Sequence, residues 1–252
     1  MYLIGDIGNT ETKICLVNNS FKKTKKIFLN TNLINNKYLD KKLSKIFNKD
    51  YIFDKIIFCS VVPRAFNFIK KYLVKKIKLK AVEIKELKIS KFINVRANKN
   101  QVGSDRIINA IGAINNKDNF IIIDLGTATT FDVINKKDYL GGVIAPGILL
   151  SLNSLSNKAS LIPKIKFKKS KNIIGKNTNT SINSGFYWGY SGLIKNIINL
   201  IMKKTKLKYK IIMTGGLANM FKSSIDHKVY VDKELTLDGI LKIIKLLNKN
   251  EK

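Results

Sequence analysis

One pattern occurs twice in this chain, at residues 2–17 and again at residues 120–134. In each copy an apolar run leads to an aspartate, a glycine two residues later, a threonine-rich turn and a second apolar run. Asp6 and Gly8 in the first copy correspond to Asp124 and Gly126 in the second. Each copy predicts a β-hairpin with a carboxylate at the end of its first strand. The duplication predicts two similar domains whose Asp-Gly turns could face each other across a cleft.

The chemistry of these two turns suits a nucleotide. A glycine-rich hairpin presents backbone N–H groups and hydroxyls that can donate hydrogen bonds to phosphate oxygens. A carboxylate in the same turn can hold the metal ion that accompanies a nucleotide. A single turn of this kind would more simply be an ordinary hairpin, because Asp and Gly are common turn formers. The second copy favours the nucleotide-binding interpretation.

The formal charge of +30 over 252 residues is the most unusual feature of the composition. Such a charge suggests a nucleic-acid partner, but only Arg64, Arg96 and Arg106 are arginines, and proteins that read bases depend on arginine. Lysine, asparagine and isoleucine are abundant together, which favours solvated lysine-rich faces instead. We therefore expect no specific nucleic-acid partner.

Cysteine and histidine are too rare for several classes of enzyme. Cys15 and Cys59 lie in apolar runs, which is typical of buried, reduced thiols in a cytoplasmic protein. The single histidine, His227, excludes a histidine-based triad and a Cys/His zinc site. The N-terminus lacks signal-peptide features, and the longest uncharged stretch, residues 140–157, is broken by glycines and Pro146. We expect a soluble cytoplasmic protein without a membrane span.

Apolar periodicity along the chain predicts an α/β fold with mixed sheets. Besides the two hairpins, strands are expected at residues 25–29, 55–62, 81–84, 139–146 and 211–214. Helices are expected at residues 33–47, 66–77 and 107–114, up to residue 155, from residue 178 onwards and at residues 235–247. Residues 85–101 and 164–177 lack a clear period and are predicted as polar loops. We place the two domains at residues 1–115 and 116–252.

Two further stretches have a composition that suits a site. Asp105 and Arg106 follow a glycine at the start of a predicted apolar helix. Asp105 has two possible roles. It is a helix-capping or first-turn acid, or it is part of a substrate site, and residue spacing does not decide between them. Gly215 and Gly216 follow a predicted strand, where they form either a plain strand-to-helix turn or a surface against which a nucleotide lies.

A set of short motifs together resembles the type III pantothenate kinases, in the actin, Hsp70 and sugar-kinase superfamily. The motifs are Asp6-Ile-Gly-Asn-Thr10, Ser60-Val-Val-Pro63, Gly103-Ser-Asp-Arg106, Asp124-Leu-Gly-Thr-Ala-Thr-Thr130, Gly141-Gly142 with Pro146-Gly147, Gly175-Lys-Asn-Thr178 and Thr214-Gly-Gly216. They occur in the order of the family and extend over nearly the whole chain. The resemblance implies two duplicated ribonuclease-H-like domains, the actin-like ATPase fold, with mixed sheets flanked by helices.

The resemblance also implies a reaction, the ATP-dependent phosphorylation of pantothenate to 4'-phosphopantothenate, which is the first step of coenzyme A biosynthesis. Asp105 would be the general base for the primary hydroxyl of pantothenate, and Arg106 would suit its carboxylate. Asp124 would bind a monovalent cation, K⁺ or NH₄⁺, and Asp6 would lie near the Mg²⁺ of ATP. The other residues implied are Ile7, Gly8, Asn9, Thr10, Glu11, Thr12, Lys13 and Thr127 for ATP, and Gly103, Ser104 and Thr178 for pantothenate.

Members of this family are homodimers, so the resemblance implies a homodimer here. The helix after Thr178 is a candidate contact, because Gly185, Gly189 and Gly192 give it a bare face. The chain departs from the pattern of the family at three positions, Arg96, Lys99 and Ala159, where many relatives carry Tyr, Pro and Thr.

Two other functions remain open at this point. Another small-molecule kinase of the same superfamily would share both Asp-Gly turns, so only residues 103–106 and Thr178 argue for pantothenate. A non-enzymatic role as a transcription accessory factor, first described for some relatives, would use the basic charge of the chain. Nucleic-acid binding of that kind would weaken steeply with salt and would be unaffected by Asp105→Asn.

Overall fold

The computed structural model describes residues 1–47 and 51–250. The strands are β1 (Tyr2–Ile7), β2 (Glu11–Val17), β3 (Lys23–Asn30), β4 (Lys55–Ser60), β5 (Val82–Glu83), β6 (Asn94–Val95), β7 (Phe120–Leu125), β8 (Ala128–Asn135), β9 (Asp138–Pro146), β10 (Lys210–Thr214) and β11 (Val229–Val231). The helices are α1 (Asn36–Phe47), α2 (Pro63–Ile77), α3 (Ser104–Ala113), α4 (Ile148–Lys158), α5 (Thr178–Thr205), α6 (Ala218–Phe221) and α7 (Leu235–Asn250). The chain divides into two compact units, Met1–Ala113 with Glu234–Lys252, and Ile114–Lys233.

The sheet of the first unit has the strand order β3-β2-β1-β4-β5. Strands β1, β2 and β3 form an antiparallel meander. Strand β4 runs parallel to β1, and β5 runs parallel to β4, so helices make the connections that parallel strands require. The core between sheet and helices includes Leu3 from β1, Leu43 from α1 and Ile69 from α2, each of them fully buried.

The second unit repeats this plan. Within it the strand order is β11-β10-β7-β8-β9. Strands β7, β8 and β9 are antiparallel neighbours, whereas β10 is parallel to β7 and β11 is parallel to β10. Tyr187 and Ile194 of α5 and Phe221 of α6 pack into the core of this unit. In both units, parallel strands extend the sheet from the first strand of a three-strand antiparallel meander. The predicted α/β fold class with duplicated mixed sheets is therefore confirmed.

Most predicted elements lie within a few residues of their expected positions, and the differences have local causes. The strand expected at residues 55–62 ends at Ser60, because Ser60 Oγ accepts a hydrogen bond from the N–H of Val62 at 3.1 Å and Pro63 begins α2. Helix α5 begins at Thr178 as predicted. The short elements α6 and β11 were missed. The loop predicted at residues 85–101 contains β6 and a 3₁₀ turn at Ile89–Lys91, and another 3₁₀ turn, Ile84–Glu86, overlaps its start.

The last helix, α7, belongs to the first unit, whereas the predicted boundary grouped it with the second half of the chain. Helices α3 and α7 approach closely because each carries a glycine at the contact. A Cβ on Gly239 would lie 2.2 Å from the carbonyl oxygen of Ile108, and one on Gly112 would lie 2.7 Å from that of Leu235. Apolar periodicity identifies the buried face of such a helix but not the partner that covers it.

Both cysteines are free and buried, as the sequence predicts. Burial raises the pKa of Cys15 to about 11, even though Lys23 and Lys26 act to lower it. In the part of the chain that the structure describes, no helix has the length and apolar character needed to cross a membrane.

Candidate functional site

The first Asp-Gly turn joins β1 to β2 and carries Asp6 close to its tip. Strand pairing aligns Asp6 with Lys13 on β2 and with Cys59 on β4. The N–H of Gly8 donates to the carbonyl oxygen of Glu11 at 3.0 Å, which closes the turn. The half-buried carboxylate of Asp6 is therefore held at the end of the central strands of this sheet, beside a tight backbone turn.

A residue outside the predicted set, Thr31, supports this turn from inside. Its hydroxyl donates to the carbonyl oxygen of Gly8 at 2.8 Å and lies 2.9 Å from Thr12 Oγ1. The N–H of Thr31 donates to the carbonyl oxygen of Thr10 at 3.0 Å. No sequence signal marks Thr31, because it follows β3 in a short 3₁₀ turn and reaches Gly8 only through the folding of the sheet.

The residues predicted to bind ATP at this turn divide into two groups. The side chains of Ile7 and Thr12 are fully buried in the first unit, so they shape the turn and present nothing to a ligand. Side chains that remain exposed or half-exposed are those of Asn9, Thr10, Glu11 and Lys13. Of these, Asn9, Thr10 and Lys13, with the backbone around Gly8, can donate to a phosphate chain, whereas the Glu11 carboxylate lies 4.0 Å from Lys13 Nζ and would repel the phosphates.

Helix α3 begins at Ser104 and places Asp105 in its first turn, as predicted. Asp105 Oδ1 accepts a hydrogen bond from the N–H of Arg106 at 2.8 Å. The carboxylate lies over Gly103, where a Cβ would be only 2.4 Å from Oδ1. Ser104 is 2% exposed, and its hydroxyl donates to the carbonyl oxygen of Ser60 at 2.8 Å. Gly103 thus leaves room for the carboxylate, and Ser104 joins the start of the helix to β4.

The buried thiol of Cys59 shows how the acidic groups around it are arranged. Burial raises the pKa of Cys59, and the negative charges of Asp6, Asp105 and Glu83 raise it further, while a hydrogen bond with Ser104 acts in the opposite direction. Asp6 pairs with Cys59 in the strand register, Glu83 accepts from the N–H of Ser60, and Ser104, next to Asp105, donates to Ser60, so the three carboxylates lie around the end of β4. Asp6 and Asp105, which are far apart in the sequence, are brought to the same region of the first unit.

Glu83 is a second residue that the sequence analysis missed. Its carboxylate accepts hydrogen bonds from the N–H of Ser60 at 3.3 Å and from the N–H of Lys85 at 2.6 Å. It thereby links β5 to the end of β4, next to the start of α3. A single glutamate at the edge of a lysine-rich loop belongs to no motif, so only the tertiary structure could identify it.

The second Asp-Gly turn joins β7 to β8 and is closed in the same way as the first. The N–H of Gly126 donates to the carbonyl oxygen of Ala128 at 3.1 Å. Asp124 aligns with Thr214 at the end of β10. The next residue, Gly215, has a φ of +89°, and a Cβ there would lie 2.6 Å from Asp124 Oδ1. Both the backbone conformation and the space require glycine at this position.

Gly147 completes the surroundings of this second turn. It follows β9 and directly precedes α4. A Cβ on Gly147 would lie 2.1 Å from the carbonyl oxygen of Thr127 and 2.6 Å from that of Gly126. Thr127 itself is exposed at the tip of the turn, as a nucleotide contact requires. The Pro146-Gly147 motif was the signal for this close approach, although the sequence analysis assigned no role to Gly147.

Thr178, predicted to contact pantothenate, is the first residue of α5 and is exposed. Asn177 and Thr180, on either side of Thr178 in the sequence, form a capping box. Asn177 Oδ1 accepts a hydrogen bond from the N–H of Thr180 at 3.0 Å, and Thr180 Oγ1 accepts one from the N–H of Asn177 at 3.1 Å. Thr178 belongs to the second unit, whereas residues 103–106 belong to the first.

The carboxylates suit a metal ion that arrives with a nucleotide. Within residues 1–47 and 51–250, no group of three or more Asp, Glu, His or Cys side chains could hold a metal ion by itself. Each turn instead offers one aspartate beside a glycine-lined backbone. Mg²⁺ typically takes one or two protein carboxylates and fills its remaining positions with phosphate oxygens and water. The donor set therefore fits Mg²⁺ bound together with a phosphate chain.

Comparison with known sequences identifies one family. The sequence profile of the type III pantothenate kinases matches residues 2–200. The type III pantothenate kinase of Pelagibacter ubique is 51% identical over 247 residues, which cover 98% of this chain and 100% of that protein. The type III pantothenate kinase of a Sulfurihydrogenibium species is 37% identical over 251 residues, which cover 95% of this chain and 98% of that protein.

Comparison with solved structures concerns the fold. The activator of the 2-hydroxyisocaproyl-CoA dehydratase from Clostridium difficile, with bound ADPNP, is similar with a TM-score of 0.54 at 13% identity. The similarity covers 100% of this chain and 97% of that chain. It agrees with the predicted actin-like ATPase fold, in which a meander and parallel strands occur once in each half.

Proposed function

The chain belongs to the type III pantothenate kinase family, and we propose on this basis that it transfers the γ-phosphoryl group of ATP to the primary hydroxyl of pantothenate, with Asp105 as the general base. The product is 4'-phosphopantothenate, and the reaction is the first step of coenzyme A biosynthesis. The observation that carries the residue assignment is the position of Asp105. It lies in the first turn of α3, over Gly103, in the region of the first unit that also holds Asp6.

Asp105 can serve as a base because one of its oxygens already has a partner and the other can face the substrate. Oδ1 accepts the hydrogen bond from the N–H of Arg106, which fixes the orientation of the carboxylate. We assign Oδ2 to the hydroxyl of pantothenate. As the hydroxyl oxygen forms its bond to the γ-phosphorus and the bond to ADP breaks, the proton passes to Oδ2. This chemistry needs no histidine, which agrees with the composition.

The first Asp-Gly turn supplies the phosphate contacts in this proposal. Backbone N–H groups of the turn and the side chains of Asn9, Thr10 and Lys13 are close enough in sequence and sufficiently exposed to follow a phosphate chain. Asp6 would contribute one carboxylate oxygen to the Mg²⁺ that accompanies ATP, and the ion would offset negative charge on the phosphates. Thr12 and Thr31 keep the turn in shape through their buried hydroxyl pair.

Pantothenate itself carries a carboxylate that needs a cationic partner. Arg106 follows the base directly and is half-buried, which suits a charge-assisted contact with that carboxylate. Among residues 103–106, Ser104 is buried and points to Ser60, so we assign it to positioning α3 and not to substrate contact. Thr178 is exposed and remains our candidate for a pantothenate contact.

We assign the monovalent cation, K⁺ or NH₄⁺, to Asp124. Its carboxylate lies against Gly215 and near Gly126, and the carbonyl oxygen of Leu125 faces Gly215 as well. Backbone carbonyl oxygens can replace part of the hydration shell of K⁺, and the carboxylate would supply the opposing charge. Thr127, exposed at the tip of the same turn, is our candidate for a contact with ATP.

We further propose that the protein acts as a homodimer through the exposed face of α5. Gly185, Gly189 and Gly192 lie on this face, and a Cβ on any of them would meet nothing within 4 Å in its own chain. Residues of this kind allow the backbones of two helices to approach closely. The neighbouring α4 adds exposed apolar side chains, Leu149 and Leu150.

The test is ADP release from ATP, Mg²⁺ and pantothenate, with K⁺ exchanged for Na⁺ in a parallel series. We expect Asp105→Asn to lower kcat by about 100-fold or more, because the amide cannot accept the hydroxyl proton. Binding of ATP should be retained, since the first Asp-Gly turn is built by other residues. The wild-type enzyme should require K⁺, and Asp124→Asn should remove the difference between K⁺ and Na⁺.

Glu86→Gln is the matched control for Asp105→Asn. It also removes one negative charge from the first unit, but Glu86 is an exposed partner of Lys70. We expect its turnover to stay within about twofold of the wild type. Normal turnover in Asp105→Asn would reject this residue as the base, and a folded wild-type protein that binds ATP but releases no ADP with pantothenate would overturn the kinase assignment.

A further inference from the structure

Residues 164–177, together with the first turns of α5, line an open cavity of about 730 Å³ in the second unit. The segment lacks a periodic apolar pattern, and the cavity adjoins Thr178, the proposed pantothenate contact, which is not among its lining residues. Six lysines line it, namely Lys164, Lys166, Lys168, Lys169, Lys171 and Lys176. The volume is within the range of small-molecule binding sites. A concave surface with this many ammonium groups calls for a chemical explanation.

The segment is firmly attached to the unit, although it has no helix or strand. Phe167 is buried in the core and stacks on Phe221 with ring centroids 6.2 Å apart. The N–H of Lys168 donates to Asn183 Oδ1 at 2.7 Å. The buried hydroxyl of Ser184 donates to the carbonyl oxygen of Asn172 at 3.1 Å. The backbone that carries the lysines is therefore held in place before any ligand arrives, which lowers the entropic cost of binding.

The lysines of the cavity have almost no partners of their own. Lys169 Nζ donates to Ser223 Oγ at 2.7 Å. The Nζ atoms of the other five make no hydrogen bond or ion pair with any residue that the structure describes. Every charged residue between Asp138 and Asp226 in the sequence is a lysine. The positive charge around the cavity is thus not neutralised by neighbouring carboxylates in the chain.

Neutral donors complete the lining. Ser170, Asn172, Asn177, Asn179, Thr180 and Asn183 contribute to the wall of the cavity. Lysine binds phosphate as a point charge, and hydroxyl and amide groups add directed hydrogen bonds to its oxygens. A ligand with one negative charge would leave most of the ammonium groups unsatisfied. The lining therefore suits a small anion with several charged oxygens.

We propose that this cavity is a binding site for a small oligophosphate, such as the phosphate chain of a nucleotide or a free polyphosphate. The site is lined by residues of segments 164–177 and 179–183, without Thr178, and is additional to the Asp-Gly turns that carry the proposed reaction. The proposal does not depend on the kinase activity. A nucleic-acid backbone would offer similar oxygens over a longer surface, but a single concave site on a fixed segment favours a compact ligand.

The test compares tripolyphosphate binding by calorimetry in three forms of the full chain at about 50 mM NaCl, where screening is moderate. The cavity variant combines Lys166→Gln, Lys168→Gln and Lys171→Gln. The control variant combines Lys203→Gln, Lys208→Gln and Lys222→Gln, which are exposed lysines of the same unit outside the cavity. Both variants lose three positive charges, so a difference between them reports position and not net charge.

We expect the cavity variant to bind tripolyphosphate about tenfold more weakly than the wild type and the control to stay within about twofold. Pantothenate-dependent ADP release should be the same in all three proteins, which separates failure of this proposal from failure of the proposed kinase activity. Equal weakening in both variants, or no saturable binding by the wild type, would overturn the proposal. The proposal would also be overturned if the wild type bound a single-stranded oligonucleotide more tightly than tripolyphosphate and the cavity variant lost only the oligonucleotide binding.

Discussion

At the scale of single residues, glycine sets where the carboxylates lie. Gly103 is an example. Because it has no side chain, the carboxylate of Asp105 can lie where a Cβ would otherwise be, and such a Cβ would be only 2.4 Å from Oδ1. The φ of Gly103 is not in the left-handed region, so alanine is compatible with the backbone. A methyl group at this position would therefore act mainly on the carboxylate and only slightly on the fold.

Gly103→Ala tests this positioning. We expect kcat to fall by about 100-fold, because a displacement of about 1 Å is enough to disturb proton transfer. The affinity for ATP should change less than about twofold, since no residue of the first Asp-Gly turn contacts the new methyl group in the geometry of the wild type. Steady-state kinetics and ATP titration are the measurements. A variant with normal kcat would show that Asp105 is not constrained by Gly103.

At the scale of elements, α7 is tied to β3 by a group of charges at the start of the helix. Lys23 Nζ lies 2.6 Å from Glu234 Oε2 and 2.7 Å from Asp238 Oδ1, and Lys26 also contacts Glu234. Burial acts to raise the pKa of Glu234, but the two lysines lower it more, so that the pKa lies below its ordinary value of 4.5. Acidic groups at a helix N-terminus also interact favourably with the helix dipole.

The lowered pKa of Glu234 predicts how stability depends on pH. A carboxyl group whose pKa is lower in the folded state stabilises the fold above its unfolded pKa, and this contribution is lost as the pH falls through the folded value. We expect Glu234→Gln to reduce the free energy of unfolding by about 0.5–1 kcal/mol near neutral pH. The difference from the wild type should shrink as the pH falls below 4.5 and through the lowered pKa of Glu234.

Urea unfolding of both proteins at neutral and at acidic pH measures this effect. Glu86→Gln serves as the control, because it removes an exposed carboxylate from the same unit without loosening α7. A deficit of Glu234→Gln that is the same at acidic and neutral pH would contradict the electrostatic explanation and indicate a packing effect instead.

At the scale of the whole molecule, the proposed dimer depends on α5, the longest helix of the described chain. Gly189→Lys adds a side chain where its own chain leaves open space, so the protomer should fold normally. Close approach of a second helix would be blocked. We expect sedimentation velocity to give twice the 28.6 kDa mass of one chain for the wild type and the single mass for the variant.

Ser20→Lys is the matched control for that experiment. It adds the same charge at an exposed turn of the first unit and should leave the mass of the assembly unchanged. Dimers in both variants would place the contact on another face, and a monomeric wild type would reject the homodimer.

The sequence by itself determined the two Asp-Gly turns, the position of Asp105 in the first turn of a helix and the start of α5 at Thr178. These features are local: apolar runs, turn glycines and capping residues act within a few positions of one another. Only the tertiary structure decided that Thr12 and Ser104 point inwards, that Thr31 and Glu83 support the site, and that α7 returns to the first unit. Each of these depends on contacts between distant segments, and an amphipathic pattern specifies that a face is buried without specifying what buries it.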